Sequence, residues 1–400
     1  MRTTRVGRIH VTSLLCILAA SILGCSDGEK LHCNGTGTWS GTGSLSLPRS
    51  VFAMEVLKTG KVLAAGGQAI VGGDDTVTSS AEIYDPATGA WASAAHMASA
   101  RGYPCSAVLP SGKVLVAGGV NPDGGLLLTA EVYDPTADTW TATAGPMSVG
   151  RFGAACVLLD SVSGKVLVTG GLDGTVSATA TADVYDPATD HFTATGPMAT
   201  GRYWHTATPL ADGTVLVAGG CTGSWPCEAS TAATELYDPT VEGGTWISSG
   251  DMPSAVVTHT ATRLGSGDVL VAGGCPTYGG AGHCGDEPRD RTASLYAPAP
   301  GTWTPEAPMR VGHAEQAAML LGSGEVMLVG GGYFSGSGTL TERFDPSTSA
   351  WGCGPSTGTA HGNGVRAVRL QDGRWLVAGG DLPTNPNAND YTGATEIFEE

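Results

Sequence analysis

The feature that most constrains this chain is a pair of adjacent glycines that recurs seven times, each time ending an apolar run such as Val62-Leu63-Ala64-Ala65. The pairs lie at Gly66-Gly67, Gly118-Gly119, Gly170-Gly171, Gly219-Gly220, Gly273-Gly274, Gly330-Gly331 and Gly379-Gly380, with a period of 49 to 57 residues. Self-similarity at one period indicates a repeat architecture, in which each unit buries its apolar face against the next. The 400 residues are therefore expected to form one repeat domain rather than several unrelated ones.

A second signature follows most pairs: an aromatic residue, aspartate and proline, and then another aromatic residue a few positions later. The triplets are Tyr84-Asp85-Pro86, Tyr133-Asp134-Pro135, Tyr185-Asp186-Pro187 and Tyr237-Asp238-Pro239, with the variants Tyr296-Ala297-Pro298 and Phe344-Asp345-Pro346, and the later aromatics are Trp91, Trp140, Phe192, Trp246, Trp303 and Trp351. Aspartate and proline suit a type I turn, and paired glycines permit positive φ or close backbone packing. Each repeat then has room for four short strands, which is one propeller blade.

These motifs resemble the kelch repeat, and the resemblance covers nearly all of residues 34 to 400. It implies an all-β, seven-bladed kelch-type β-propeller. The seventh repeat stops at Thr395–Phe398 without its fourth strand, whereas an orphan strand around Trp39 precedes the first repeat. We expect this N-terminal strand to complete the last blade, which would hide two exposed strand edges.

The N-terminus is typical of an exported chain. Three arginines among the first eight residues precede a mostly apolar stretch, Val11–Leu23, that is too short to span a bilayer comfortably. Ile22-Leu23-Gly24-Cys25 resembles the lipobox of bacterial lipoproteins, which implies a signal peptide over 1–24, lipidation of Cys25 and a tether over 25–33. An ordinary cleaved secretory peptide is the alternative. We expect a protein lipid-anchored to the outer or cytoplasmic membrane and facing the periplasm or the cell exterior.

The formal net charge of −17 argues against nucleic acid as a partner and against anionic lipid surfaces, leaving the lipid anchor as the contact with a membrane. The even number of cysteines after Cys25 indicates disulfides in an exported chain. Close spacing predicts Cys221–Cys227 and Cys275–Cys284 as loop-stapling bonds. Cys33 with Cys353 and Cys105 with Cys156 are the remaining pairs, although the last two occupy positions offset by one residue and could face opposite ways.

In an up-down blade, the loop before the first strand and the loop after the second strand share one face, and here those loops vary in length and content. We therefore place any site on this variable face. One position before the first strand is occupied in blades 1 to 6 by Arg49, Arg101, Arg151, Arg202, Val256 and His313. Either each arginine binds backbone carbonyls of the adjoining blade, or the four form a mouth that binds a carboxylate or sulfate.

Three residues beyond that position lie His205 and His259, with Gln316 next in the series. A metal site would need a third ligand aimed at the same point, and His313 and His361 are expected at different heights. We therefore predict core or rim histidines, no metal and no cofactor.

Aromatic residues add a second feature to the variable face. Tyr203, Trp204 and Trp225 are expected to be exposed there. Such a cluster either fills the central channel around which the blades are arranged, or contacts a sugar ring or a partner protein.

These features favour a noncatalytic binding module that presents variable loops to a protein or glycan partner. Two carbohydrate-active enzymes are the alternatives. Galactose oxidase has a kelch propeller and uses copper with a tyrosine crosslinked to a cysteine, but no matching ligand set is found here. A sialidase-like glycosidase would account for the arginines, but its Ser-x-Asp-x-Gly-x-x-Trp boxes are missing, and Glu315 is the one acidic candidate near the channel.

Overall fold

The computed structural model of the chain describes residues 35–227, 229–277, 291–332, 338–382 and 390–400. These residues form strands, turns and loops without a helix, so this part of the chain has no helical segment suited to crossing a bilayer. They lie in one compact unit, Asn34–Glu400. The predicted signal peptide, the tether and Cys25 fall outside the described residues.

The strands follow one another in short, regular steps. In chain order they are β1 (Thr38–Gly41), β2 (Ala53–Val56), β3 (Val62–Ala65), β4 (Gln68–Val71), β5 (Asp74–Val77), β6 (Ala81–Asp85), β7 (Ala90–Ala94), β8 (Cys105–Val108), β9 (Val114–Ala117), β10 (Ala130–Asp134), β11 (Thr139–Ala142), β12 (Ala155–Leu158), β13 (Val166–Thr169), β14 (Ala182–Asp186), β15 (His191–Ala194), β16 (Thr206–Pro209), β17 (Val215–Ala218), β18 (Cys221–Thr222), β19 (Ala229–Ser230), β20 (Ala233–Asp238), β21 (Thr245–Asp251), β22 (Thr260–Arg263), β23 (Val269–Ala272), β24 (Ala293–Ala297), β25 (Thr302–Pro305), β26 (Ala317–Leu320), β27 (Val326–Val329), β28 (Thr341–Asp345), β29 (Ala350–Cys353), β30 (Arg366–Arg369), β31 (Trp375–Ala378) and β32 (Thr395–Glu399).

Within the described residues these strands form seven four-stranded antiparallel sheets, which are the blades. Blades 1 to 7 are β2-β3-β6-β7, β8-β9-β10-β11, β12-β13-β14-β15, β16-β17-β20-β21, β22-β23-β24-β25, β26-β27-β28-β29 and β30-β31-β32-β1. Two small hairpins, β4-β5 and β18-β19, extend from the loops that follow the second strands of blades 1 and 4. The prediction of an all-β, seven-bladed propeller is confirmed.

The ring closes as the two chain ends predict. Strand β1 pairs antiparallel with β32, and Trp39 stands opposite Phe398. Their ring centroids lie 5.0 Å apart, so the contact that completes blade 7 is an aromatic pair as well as a strand ladder.

The core lies between neighbouring blades. The second strand of a blade, such as β9, is buried along its whole length, because both of its faces pack against other blades. The fourth strand, such as β11, is largely exposed and is held by its tryptophan, with Tyr133 and Trp140 rings 4.9 Å apart. Each blade is thus fixed at its inner edge by apolar burial and at its outer edge by an aromatic pair.

Candidate functional site

The position before each first strand is called here the slot. In blade 2 the side chain at this position is buried and bonds two other parts of the same blade. In blade 2, Arg101 donates from Nη1 to the carbonyl of Gly118 at 3.1 Å and from Nη2 to Glu131 Oε1 at 3.0 Å. Glu131 in turn accepts the backbone N–H of Ala98 at 2.7 Å, which fixes the loop leading into the slot. Gly118 has φ 66°, and a Cβ there would lie 2.8 Å from the carbonyl oxygen of Arg151 in the next blade. The glycine pair is therefore required by the close approach of two blades.

The other three slot arginines repeat this arrangement. Arg49, Arg151 and Arg202 donate to the carbonyls of Gly66, Gly170 and Gly219 and pair with Glu82, Asp183 and Glu235. All four arginine side chains are 0% exposed. Burial lowers the pKa of each guanidinium, and the paired carboxylate opposes that effect.

These contacts contradict the hypothesis that the four arginines form an anion-binding mouth, and they support the alternative in which each arginine binds backbone carbonyls. Their donors face carbonyls and carboxylates inside the blades rather than solvent, so we remove Arg49, Arg101, Arg151 and Arg202 from the candidate ligand set.

Histidine replaces arginine in the slots of blades 6 and 7. His313 Nδ1 donates to the Gly330 carbonyl at 3.0 Å, and its Nε2 lies 3.3 Å from Glu342. His361 contacts the Gly379 carbonyl and Glu396 in the same way. Both therefore lie in slots, at a different height from His205 and His259, which stand three residues beyond their own slots, and the expectation is confirmed. One extra residue follows His361 before β30 and hides its alignment with the other slots. His313 also leaves the candidate ligand set.

Burial raises the pKa of Glu396, but hydrogen bonds from His361, Thr359 and the Gly358 amide outweigh it and bring that pKa to about 2. Glu396 therefore stays ionised in its slot at neutral pH.

The channel mouth on the variable face is formed by one left-handed residue from each blade. These residues, called here the axial ring, are Val51, Tyr103, Gly153, Trp204, Thr258, Glu315 and Gly364, with φ between 48° and 72°. Their backbones bond from blade to blade: Glu315 N donates to Thr258 O at 3.0 Å, and Trp204 N donates to Gly153 O at 2.8 Å. Left-handed φ is unfavourable for a branched residue such as Thr258. The bonds of the ring offset this strain.

A cavity of about 250 Å³ opens at the axial ring. Its wall continues below the ring with His205, His259, Gln316 and Arg366. The structure thus brings two of the predicted histidines together with Trp204 and with two charged side chains, Glu315 and Arg366.

The two histidines of the wall differ in their partners. His259 Nε2 lies 3.0 Å from the Thr206 hydroxyl. Burial lowers its pKa to about 4, the backbone of Ala218 opposes this, and the charge of Arg202 adds to it. Burial likewise lowers the pKa of His205 well below the ordinary value. Among the described residues neither ring nitrogen of His205 has a hydrogen-bond partner, since Ala155 stands in blade 3 where Thr206 stands in blade 4.

Arg366 is the cavity residue that sequence reasoning missed. Its Nε donates to the Phe52 carbonyl at 2.8 Å, and within the described part of the chain neither Nη atom has a hydrogen-bond or ion-pair partner. Burial lowers its pKa, while the charges of Glu315, Tyr103 and Glu55 oppose that shift. Arg366 begins the first strand of blade 7, where the other blades have only small or neutral residues, and aligning those seven starts would have revealed it. The equivalent residues are Ala53, Cys105, Ala155, Thr206, Thr260 and Ala317.

The aromatic candidates occupy three different environments. Tyr203 is fully buried, so its predicted exposure is wrong. The Trp204 ring lies 5.4 Å from that of Phe152 and also lines the cavity. Trp225 is 39% exposed and lies 5.4 Å from Trp204. Gly153 carries no side chain at the point where a Cβ would lie 2.7 Å from the Trp204 indole. Trp204 and Trp225 therefore form one continuous aromatic wall.

Two disulfides join described residues. Cys221–Cys227 staples its loop as predicted. Cys105–Cys156 links the first strands of blades 2 and 3, and Cys105 directly follows Pro104 of the cavity wall. The one-residue offset that seemed to separate these two side chains is what lets them meet, because facing strands of neighbouring blades must present opposite faces to each other.

Cys275 and Cys353 are also disulfide-bonded. Their predicted partners Cys284 and Cys33 lie outside the described residues. The disulfides are consistent with an extracytoplasmic location.

The described residues hold no group of three or more His, Cys, Asp or Glu side chains that could bind a metal ion. Among the described residues, His205 and His259 have no third side chain of these types beside them with which to hold a metal.

Comparison with known proteins agrees with this architecture. Residues 101–147 match the Kelch motif, and no curated protein matches the sequence. A fungal alcohol oxidase of the AA5 family, in complex with copper, is 17% identical with a TM-score of 0.69, covering 91% of this chain and 76% of that one. The structure of YjhT is 16% identical with a TM-score of 0.55, covering 72% of this chain and 91% of that one. At such identities the likeness concerns the fold. The chain is therefore a seven-bladed β-propeller with a Kelch motif at residues 101–147.

Proposed function

We propose that this propeller is a noncatalytic binding module that takes a glycan or protein partner at the axial cavity of its variable face. One observation carries the proposal: the cavity combines the indole of Trp204, the guanidinium edge of Arg366 and the buried imidazole of His205. Polar groups buried without partners are costly in a fold that serves only stability. Groups of this kind are typical of a surface that is completed by a ligand.

The volume of the cavity favours a small ligand group. About 250 Å³ is below the ~300–1,000 Å³ common for drug-sized ligands. We therefore expect one ring or one side chain of a larger partner to enter it, with Trp225 and the neighbouring loops contacting the rest.

Binding at the cavity can be tested with substitutions in blades 4 and 7. Wild type, Trp204→Ala, Arg366→Ala and Arg374→Ala would be compared on a glycan array and in capture of surface proteins. Arg374 is the matched control for Arg366, because it lies in the same blade outside the cavity wall and pairs with Asp372 of the preceding turn. We expect Trp204→Ala and Arg366→Ala to lose binding at least ~10-fold, with Arg374→Ala unchanged. Equal binding by all four proteins would exclude the cavity.

A copper-dependent oxidase is the second candidate, supported by the fold shared with the copper-bound alcohol oxidase. Elemental analysis of the purified protein tests it. If wild type contains one copper per chain and His205→Ala contains none, the oxidase would replace the binding module as the proposed function.

We also propose that the module is tethered by a lipid on Cys25. The disulfide at Cys105–Cys156 supports export but not the anchor. Detergent phase partitioning of wild type and Cys25→Ser tests the tether: wild type should enter the detergent phase and the variant should stay in the aqueous phase. Equal partitioning would leave an ordinary cleaved signal peptide.

A further inference from the structure

The axial ring is hydrogen-bonded at six of its seven steps among the described residues. From Trp204 of blade 4 onward, the N–H of each ring residue donates to the carbonyl of the one before it, ending with Val51 N on Gly364 O and Tyr103 N on Val51 O, both at 3.1 Å. The step between blades 2 and 3 is open, because no hydrogen bond joins Gly153 N to Tyr103 O. Both residues line the cavity. At this step the ring therefore has one N–H donor, on Gly153, and one carbonyl acceptor, on Tyr103, that do not bond each other.

This pair of groups restricts the chemistry of what can close the step. A carboxylate can accept from Gly153 N–H but has no proton for the Tyr103 carbonyl, and an ammonium group has the opposite defect. A hydroxyl group both donates and accepts. One hydroxyl, or two on adjacent carbons, can satisfy both sides of the open step.

His205 makes the same demand independently. Its side chain is buried, lines the cavity and has no hydrogen-bond partner among the described residues at either ring nitrogen. Burial favours the neutral imidazole, which has one donor and one acceptor. The Oε1 of Gln316 adds a further acceptor without a partner in the described chain.

The described residues of the cavity wall include one side chain of each charge. Arg366 and Glu315 both line the cavity, and each influences the other electrostatically. A ligand with a net charge would upset this balance, whereas an uncharged ligand would not. The Trp204 indole at the same site supplies an apolar face of the kind on which ring carbons pack.

We propose that the axial cavity binds an uncharged, polyhydroxylated ring, that is, a neutral sugar, whose hydroxyl closes the step between Tyr103 and Gly153 and whose other hydroxyls bond His205. This inference rests on the proposed function, whose glycan-or-protein partner it narrows to a neutral saccharide. It differs from the arginine-based anion site considered from the sequence, because Arg366, the one arginine among the described residues of the cavity wall, is accompanied by Glu315.

Calorimetric titration at pH 7 with paired probes tests the proposal. Glucose, galactose and mannose would be compared with glucuronate and galacturonate, which differ from two of them only in carrying a carboxylate. We expect one neutral hexose to bind with a Kd of ~1 mM or below and at least ~10-fold more tightly than its uronate. A uronate or an amino acid that binds more tightly would overturn the neutral-sugar assignment while leaving the binding module intact.

Two variants connect that binding to His205. His205→Leu removes both hydrogen-bonding nitrogens and should weaken hexose binding ~5- to 100-fold, from the cost of unpaired ligand hydroxyls. His205→Gln keeps one donor and one acceptor, and should restore most of the affinity. Gln316 already occupies the equivalent place in blade 6, so the glutamine variant is compatible with the fold. His191→Ala, on the exposed outer strand β15, is the control.

Three further results have defined meanings. Binding that is equal in His205→Leu and wild type would overturn the site, provided both proteins melt at the same temperature. If His205→Leu fails to fold, two measurements still test the neutral-sugar site. They are the hexose affinity of His205→Gln relative to wild type and the ratio of hexose to uronate affinity in wild type. Absence of binding by every sugar up to ~10 mM would overturn this inference. The glycan array and the protein capture experiment with Trp204→Ala would then test separately whether the protein is a binding module.

Discussion

Arg101 and Arg366 occupy two regions of the same propeller, and their surroundings are opposite. In the slot of blade 2, Arg101 meets a carbonyl and the carboxylate of Glu131, which comes from the third strand of the same blade. At the cavity, Arg366 meets the Phe52 carbonyl through Nε and keeps its Nη edge without a partner among the described residues. A buried arginine is therefore structural where the blade itself supplies a carboxylate. The half-buried Arg366, whose Nη atoms have no such partner among the described residues, is the arginine that we propose for the ligand.

Blade 5 shows that the slot pair is replaced as a unit. Val256 occupies its slot, and Ser294 stands at the third-strand position where Glu131 stands in blade 2. Both partners are uncharged together, so no buried charge is left alone. This natural replacement supplies the matched variants for the first prediction.

The largest effect is expected from breaking one slot pair. Arg101→Val should cost about 3–5 kcal/mol of unfolding free energy, because it leaves the Glu131 carboxylate buried without its counter-charge. The double variant Arg101→Val with Glu131→Ser copies blade 5 and should recover at least half of that loss. Urea unfolding measures both, and a double variant less stable than Arg101→Val would refute the slot as an ion-pair unit.

The covalent link beside the cavity comes next. Replacing Cys105 and Cys156 by alanine opens a loop of sequence separation 51 and should cost about 4 kcal/mol on the chain-entropy estimate. The pair Cys221 and Cys227 closes a loop of separation 6, and the same estimate gives about 2 kcal/mol. Thermal unfolding of the two double variants compares them. A larger loss for the short loop would show that strain or local structure outweighs the loop length.

The pH dependence of stability distinguishes the neutral histidines of the cavity wall from the charged arginines of the slots. Below its ordinary pKa of 6.5, His259 takes up a proton in the unfolded chain but not in the folded one until about pH 4. Stability should therefore fall by about 3 kcal/mol as the pH drops through that window. His259→Gln should flatten this part of the stability curve measured by urea unfolding between pH 7 and 4. An unchanged curve would mean that His259 is already charged when folded.

The smallest change in stability is expected for Arg366, in contrast to the large change expected for Arg101. Arg366→Ala should change the unfolding free energy by less than about 1 kcal/mol, because it breaks one hydrogen bond and no ion pair within the described residues. Ligand affinity, measured on the same sample, should fall at least ~10-fold. A loss of stability as large as that of Arg101→Val would place Arg366 with the structural arginines.

Much of the fold follows from the sequence because its determinants are local and repeated. The glycine pairs, the Asp-Pro turns and the outer tryptophans recur in register, so each repeat specifies one blade. The unpaired ends at Trp39 and Phe398 then leave one way to close the ring, and these two residues do pair. The loop disulfide Cys221–Cys227 was predictable for the same reason, since its cysteines are six residues apart.

What the tertiary structure decided is which polar side chains are left over once the blades pack. Position in the repeat put Arg49, Arg101, Arg151 and Arg202 on one level, but only the third-strand carboxylates show that their charges are already paired. The same packing places Arg366 and His205 against a shared cavity and leaves the step from Tyr103 to Gly153 open. The sequence alone determined the blades because strands and turns form from neighbouring residues. It could not determine the site, because pairing between blades depends on distances across the channel that no local pattern encodes.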